Sequence, residues 1–213
     1  MTTQQMDIKI EGLGTISEGS YGRIKVEGVG KIRGNVEFET MEIEGTCNAD
    51  QNLKGGLLNI EGMFKVKGDI RVKQLHIEGM LRTEDRKIYA NEIRVEGMLK
   101  NSGEVNADRV IIEGCASIND LFGDEITIDY GYMGVRGLFH FGHNKLFEKM
   151  NRANNIECSK LTAQNLTCHS ISATDIVLSS HCVVDTIYCN GTLRYDSTCR
   201  IKHIEGDCVQ QGK

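Results

Sequence analysis

Ile60-Glu61-Gly62-Met63-Phe64-Lys65-Val66-Lys67-Gly68-Asp69-Ile70-Arg71-Val72-Lys73-Gln74-Leu75-His76-Ile77-Glu78-Gly79 contains one full period of the chain, opening on Ile-Glu-Gly and closing on it again. The same Glu-Gly step stands at Glu11-Gly12, Glu27-Gly28, Glu44-Gly45, Glu96-Gly97 and Glu113-Gly114, and the intervals between the seven successive glycines are 16, 17, 17, 17, 18 and 17. A unit this short cannot close a core of its own. It must stack on its neighbours as a solenoid.

Alignment on the glutamate shows what each unit buries. The preceding residue is Ile10, Val26, Ile43, Ile60, Ile77, Val95 or Ile112, and three before the glutamate stand Ile8, Ile24, Met41, Leu58, Leu75, Ile93 and Val110. Between these apolar columns lie Lys9, Lys25, Glu42, Asn59, His76 and Arg94, with Ile111 the exception. This is the period-two alternation of a strand, ending at a glycine expected to turn a corner. Val26, Ile32 and Phe38 are six apart, as are Ile60, Val66 and Val72, and Ile43 and Ile77 follow five later. Six, six and five imply three short strands around a roughly triangular core. The 24 glycines and the dense β-branched residues disfavour helix. The expected fold is therefore all-β, a single-stranded parallel β-helix with about 17 residues per three-sided coil.

Stacking at about 4.8 Å brings the glutamates into a like-charged rank. Three residues past each glycine stand Thr15, Lys31, Asn48, Lys65, Arg82, Lys100 and Ser117, and this basic rank is expected to relieve the acidic one together with water. A solvated charged face is the simpler reading, since exposed pairs contribute only about 0–1 kcal/mol each. An ion- or partner-binding stripe is the alternative.

A net charge of −5 and a pI near 5.7 argue against a nucleic-acid footprint. The sequence contains no long apolar run and no secretory signal, so a cytoplasmic protein is expected. Residues 1–7 read as a short polar tail and 209–213 as a second. Six of the eight cysteines fall after residue 150, and no C-x-x-C occurs. In this setting buried thiols serve as small apolar fillers. His169 beside Cys168 and His181 beside Cys182 keep a metal site across coils as an alternative, and redox or interfacial thiols are another.

The repeat over residues 8–129 breaks at 130–155. That insertion carries Phe139, Phe141 and Phe147, with Arg136, Lys145, Lys149 and Arg152 against Glu148. Asn144 is placed to cap a short helix through Ala153, with Leu146, Phe147 and Met150 on one face. The plainer reading is a cover folded onto the solenoid. The sharper one is a peripheral membrane contact through Phe139, Phe141, Lys145, Leu146, Phe147, Lys149 and Met150, since aromatics beside lysines suit an anionic interface. A contact with another protein is the third reading. The solenoid resumes over 156–208, where Ile156, Leu161, Leu166, Ile171 and Ile176 are five apart and Glu205-Gly206 closes the series. About ten coils would make a rod of roughly 50 Å. The five-residue spacing leaves open a squarer, pentapeptide-type coil.

An acidic-glycine repeat of this short period, in I-x-I-E-G form, resembles the bactofilins, and more closely their longer Gram-positive type. The resemblance covers Ile8 to Asp129, and Ile187-Tyr-Cys-Asn-Gly-Thr-Leu193 through Ile204-Glu-Gly-Asp207 also suits it. It implies a right-handed, three-faced β-helix that polymerises end to end without nucleotide, as a cytoskeletal scaffold often found on the inner membrane face. A proline-rich tail and a long N-terminal arm are not seen here, and six late cysteines exceed the family pattern.

The terminal coils of such a rod expose unpaired backbone groups and an apolar cross-section, which monomeric solenoids cover with a cap. Neither tail reads as a substantial cap. Rods are therefore expected to join through Ile8, Ile10 and Ile16 at one end and Ile201, Ile204 and Val209 at the other. The expected partners are further copies of the chain and the inner membrane surface. No catalytic, cofactor or metal residue is assigned. The alternatives are a non-polymerising adaptor rod and an enzyme like the hexapeptide acyltransferases. Such enzymes read six, six and six, and His140 and His143 are the candidates of that kind here, with no acid or nucleophile spaced to orient them. Pectin-lyase-like β-helices have longer coils and are mostly exported.

Overall fold

Alternating apolar and polar residues over four to eight positions, punctuated by glycine, dictate strands too short to form an independent sheet. They become stable only by stacking. The computed structural model of the chain describes residues 6–129 and 151–212. Those residues form a parallel β-solenoid of about 11 turns, 78% strand and without helix.

The first coil consists of β1 (Met6–Ile10), β2 (Leu13–Ile16) and β3 (Gly19–Val26). β4 (Val29–Ile32) stacks on β2, and β5 (Val36–Ile43) stacks on β3 in parallel register, with Ile24 on Met41 and Val26 on Ile43. The alternation continues through β6 (Thr46–Ala49), β7 (Leu53–Ile60), β8 (Met63–Val66), β9 (Ile70–Ile77), β10 (Met80–Thr83) and β11 (Lys87–Val95). Later coils run as longer strands: β12 (Met98–Ile112), β13 (Cys115–Ile128), β14 (Asn151–Gln164), β15 (Leu166–Ser179) and β16 (Val183–Tyr195). The last coil divides into β17 (Arg200–Glu205) and β18 (Val209–Gly212). Met6, Asp7 and residues 209–212, expected as tails, are thus strand. So are Asn151, Arg152 and Ala153, expected at the end of a helix: the solenoid resumes at Asn151 rather than Ile156.

Each coil has three sides with two inward positions on each. In one coil these are Phe64 and Val66 on side one, Ile70 and Val72 on side two, and Leu75 and Ile77 on side three, all buried. Residues between them point outward. The spacing within sides stays constant, and the corners absorb variation in coil length. At the widest corner, between Thr83 and Ile88, Asp85 adopts a left-handed φ of 48°. Asn101 of the next coil fills the space behind it, donating from Nδ2 to Thr83 Oγ1 (2.6 Å) and to the Arg86 carbonyl (2.9 Å).

The five-residue spacing has the opposite cause. Ile156 lies under Ile171 and Leu161 under Ile176, in a shortened coil whose register continues that of β13. The corners have lost residues while the three sides persist, so the squarer coil does not occur. Asn165, at φ 50°, makes the tight turn where earlier coils use Glu-Gly. Asn151 repairs the ladder where the chain re-enters: its Oδ1 accepts the Ala116 N–H at 2.8 Å, and its amide faces the Gly114 carbonyl at 3.5 Å.

The Glu-Gly glycines prove necessary for a reason other than turning. Among the described glycines, left-handed φ values occur at Gly34 (84°) and Gly206 (96°) but at none of the seven in the rank. Their constraint is axial. The Ile43 carbonyl accepts both the Glu61 and Gly62 N–H groups, at 2.9 and 2.8 Å, and the Gly45 carbonyl accepts Met63 N–H at 2.8 Å. A Cβ on Gly62 would lie 1.9 Å from the Gly45 oxygen and 2.4 Å from the Glu44 oxygen. The glycines form a column so close that no side chain fits between coils. Gly12, at the foot of the column, would meet nothing within 4 Å.

Glu205-Gly206 is not part of that column. Ile204 stacks on Ile187, on side two, so this last Glu-Gly lies at a different corner. It repeats the spelling of the motif without its register.

Candidate interaction surfaces

The two ends differ. At the first coil β1 pairs with β3 and β2 with β4, each along one edge. Ile8 is half-buried, but Ile10 and Ile16 are only 8% and 1% exposed. Tyr21, a residue outside the columns aligned on the glutamate, is also buried near this end. Its ring packs beside Gly19, and its hydroxyl donates to the Ser17 carbonyl at 2.8 Å. Tyr21 stands five residues before Val26, as Phe38 stands five before Ile43, so alignment from the corner backward finds it.

At the last coil β17 and β18 pair, among the described residues, with β16 alone. Ile201 and Ile204 are half-buried, although Val184 and Ile187 directly beneath them are fully buried. Val209 does not line this face. It stacks on Thr192 in an outward column and is 60% exposed, whereas the inward position over Leu193 holds Gln210. The alternation there runs polar-inward. The upper apolar face is thus Ile201 and Ile204, with the partly buried Cys199 and Cys208 beside them.

The glutamate rank is relieved from the side opposite to the one expected. Lys9 reaches Glu11 (2.6 Å) and Glu27 (3.1 Å), Lys25 reaches Glu27 (2.9 Å) and Glu44 (2.8 Å), and Arg94 reaches Glu96 and Glu113 (both 2.7 Å). These cations stand two residues before the glutamate, on side three, and each bridges two coils. The carboxylates raise the Lys9, Lys25 and Arg94 pKa values, and Lys25, then Lys9, lower that of Glu27. In the basic rank on side one, Lys65 and Arg82 pair with Glu84, at 3.6 and 2.7 Å, beyond their own strands. In the middle of the rod the side-three position holds Asn59 and His76. There Glu61 accepts only an Asn59 amide bond at 3.2 Å, and Glu78 has no ion pair among the described residues.

Tight corners near the upper end are held by carboxylates. Asp196 accepts Thr198 Oγ1 at 2.6 Å, Thr198 N–H at 2.9 Å and Ser180 N–H at 2.8 Å. The Thr198 hydroxyl first, then the Ser180 amide, hold its carboxyl well below the usual range. That contribution is present above the unfolded-state pKa and is lost as pH falls through the folded one.

Cys47, Cys168, Cys182 and Cys189 are buried and form no disulfide. Burial pushes Cys47 and Cys168 up to about 12 and Cys182 up to about 11. Cys168 and His169 lie on one strand and point to opposite sides: the thiol is buried, while the imidazole faces Asp185 at 3.0 Å in solvent. They cannot converge on one ion, and among the described residues no three His, Cys, Asp or Glu side chains could hold a metal. A thiol reagent at pH 8 is expected to label these four cysteines on the order of 100-fold more slowly in the folded chain than in denaturant. Timed alkylation followed by mass spectrometry reads this directly. Equal rates would mean that the coils open readily.

Phe139, Phe141, His140, His143, Lys145, Leu146, Phe147, Lys149 and Met150 lie outside the described residues. No helix among the described residues is long and apolar enough to cross a membrane. In comparisons with protein families, curated proteins and solved structures, nothing matches this chain.

Proposed function

We propose that this protein is a self-assembling scaffold whose rods join end to end through their terminal coils, without nucleotide. The observation that carries the reading is that, among the described residues, β17 and β18 pair along one edge only, above an apolar face in which Ile201 and Ile204 remain half-buried. Unpaired strand edges recruit further strands, and an in-register coil from a second molecule satisfies both the backbone and the core. Gly12 adds support from the other end. No contact within the described chain forbids a side chain there, but a coil stacked beneath it would meet the same close approach that the glycines make higher up. The I-x-I-E-G resemblance to the bactofilins points the same way. In this reading the protein is structural rather than catalytic.

Negative-stain electron microscopy of the purified protein, without nucleotide or added metal and across a salt series, tests it. Filaments a few nanometres wide are expected. Discrete rods of roughly 50 Å at every salt concentration would sink the reading.

A further inference from the structure

An exposed apolar column runs up side one, immediately beside the glutamate corner. Leu13, Val29, Thr46, Met63, Met80 and Met98 stack in register, each the first residue after its glycine. Leu13 is 87% exposed and Met63 is 54% exposed; Val29, Met80 and Met98 are exposed as well. Large apolar side chains aligned in solvent over successive coils mark a surface that binds something.

The flanks of the column identify its occupant. On one side stands the glutamate rank, on the other the basic rank of Lys31, Lys65, Arg82 and Lys100, two residues further along the strand. The surface is thus ordered acid, apolar, base across the rod at Val29, Met63, Met80 and Met98, while Thr15, Thr46 and Asn48 interrupt the order in the other coils. A second copy can face this surface in two symmetric ways. With the two-fold axis parallel to the rod, left and right exchange, so each acidic rank meets the other copy's basic rank at the same height. With the axis perpendicular to the rod, acid meets acid and base meets base. The first arrangement is complementary and the second repulsive. The middle of the column is also where Glu61 and Glu78 form no ion pair among the described residues. Lys65 and Arg82, which flank Met63 and Met80 and pair with Glu84 in their own chain, would then stand between that carboxylate and the partner's glutamates.

We infer that this face is a lateral interface between two copies of the chain, lying parallel and in register with methionine against methionine. It spans about 24 Å along the rod and about 13 Å across, some 300 Å² per copy. A standard stable interface needs about 800 Å² per partner. Isolated rods therefore pair weakly. The interface becomes durable when it repeats at every subunit of a filament, and to that extent it rests on the end-to-end reading.

Charge exchange tests it. Wild-type filaments are expected to run as pairs of protofilaments that separate at high salt. The E61K/E78K variant should show a fraction of paired filaments about tenfold lower. Adding K65E and R82E to that chain should restore pairing, since the ranks have exchanged signs. Unpaired wild-type filaments, pairing indifferent to E61K/E78K, or failure of the exchange to rescue a normally melting chain would overturn the inference. Met80→Cys with a short bis-maleimide provides a second measurement, independent of filaments and of the charge variants. At high protein concentration the parallel pair gives, by peptide mass spectrometry, an adduct joining position 80 of one copy to position 80 of the other. Adducts joining position 80 only to the native cysteines, such as Cys115, would overturn it. If wild-type protein forms no filaments yet the Met80→Cys chain yields the symmetric adduct, end-to-end assembly fails while this interface stands.

Discussion

Gly62→Ala is expected to unfold the middle of the rod, with a loss of more than about 4 kcal/mol and a melting transition lowered by ten degrees or more. Most single substitutions lose far less, because a surface side chain can turn away. A Cβ cannot turn away: it projects from the backbone and would stand 1.9 Å from the Gly45 oxygen, well inside contact distance. Relief requires separating two coils, and that breaks the paired hydrogen bonds to the Ile43 carbonyl. Gly12→Ala is the control. It adds the same atom to the same motif where nothing lies within 4 Å, and the monomer should melt within a degree or two of wild type. Thermal melts followed by circular dichroism separate the cases. Equal effects at the two positions would mean that the glycines serve the turn rather than the stacking.

Ile201→Asp with Ile204→Asp is expected to abolish filaments while leaving the rod folded. Both side chains belong to the uppermost coil and already see solvent, so two carboxylates there add little strain to the monomer. In an end-to-end contact the same carboxylates would be buried without partners, at several kcal/mol each. Sedimentation should show the assembled fraction falling below detection with the β-sheet spectrum unchanged. Filaments of undiminished length would place the joint elsewhere. The equivalent pair at the lower end, Ile8 and Ile10, is a poorer probe, because Ile10 is 8% exposed and packs its side chain against Gly14. Charge there would damage the first coil itself.

Much of the fold is legible in the sequence because its signal is strict and local. Ile60, Val66 and Val72 announce a three-sided coil wherever the alignment begins, and the structure buries all three. The irregular coils are harder to read for one physical reason: sides are fixed by packing but corners are not. Five-residue spacing from Ile156 onward looks like a different architecture, yet it is the same three sides with residues removed from the corners. Glu205-Gly206 looks like an eighth copy of the motif and is a different corner. The candidate surfaces are less legible. The apolar character of Val209 suggests an inward position, whereas register places Gln210 there. The cations that touch the glutamate rank stand before the corner rather than after the glycine, because residues two apart on an extended strand point to the same face. Methionines 63, 80 and 98 each follow the glycine of their unit and so share one column already in the sequence, but only the structure shows that the column faces solvent.

Because packing fixes the sides and the corners alone vary, the molecule is a ruler graduated in single turns. Duplication or deletion of one Ile-Glu-Gly unit would change the rod by one graduation, about 4.8 Å, while leaving its two ends chemically as they were. A lineage can thus adjust the subunit repeat of a polymer without redesigning the joint between subunits. β14 stacks directly on β13 although residues 130–150 separate them in sequence, so the graduation there is a single turn like the others.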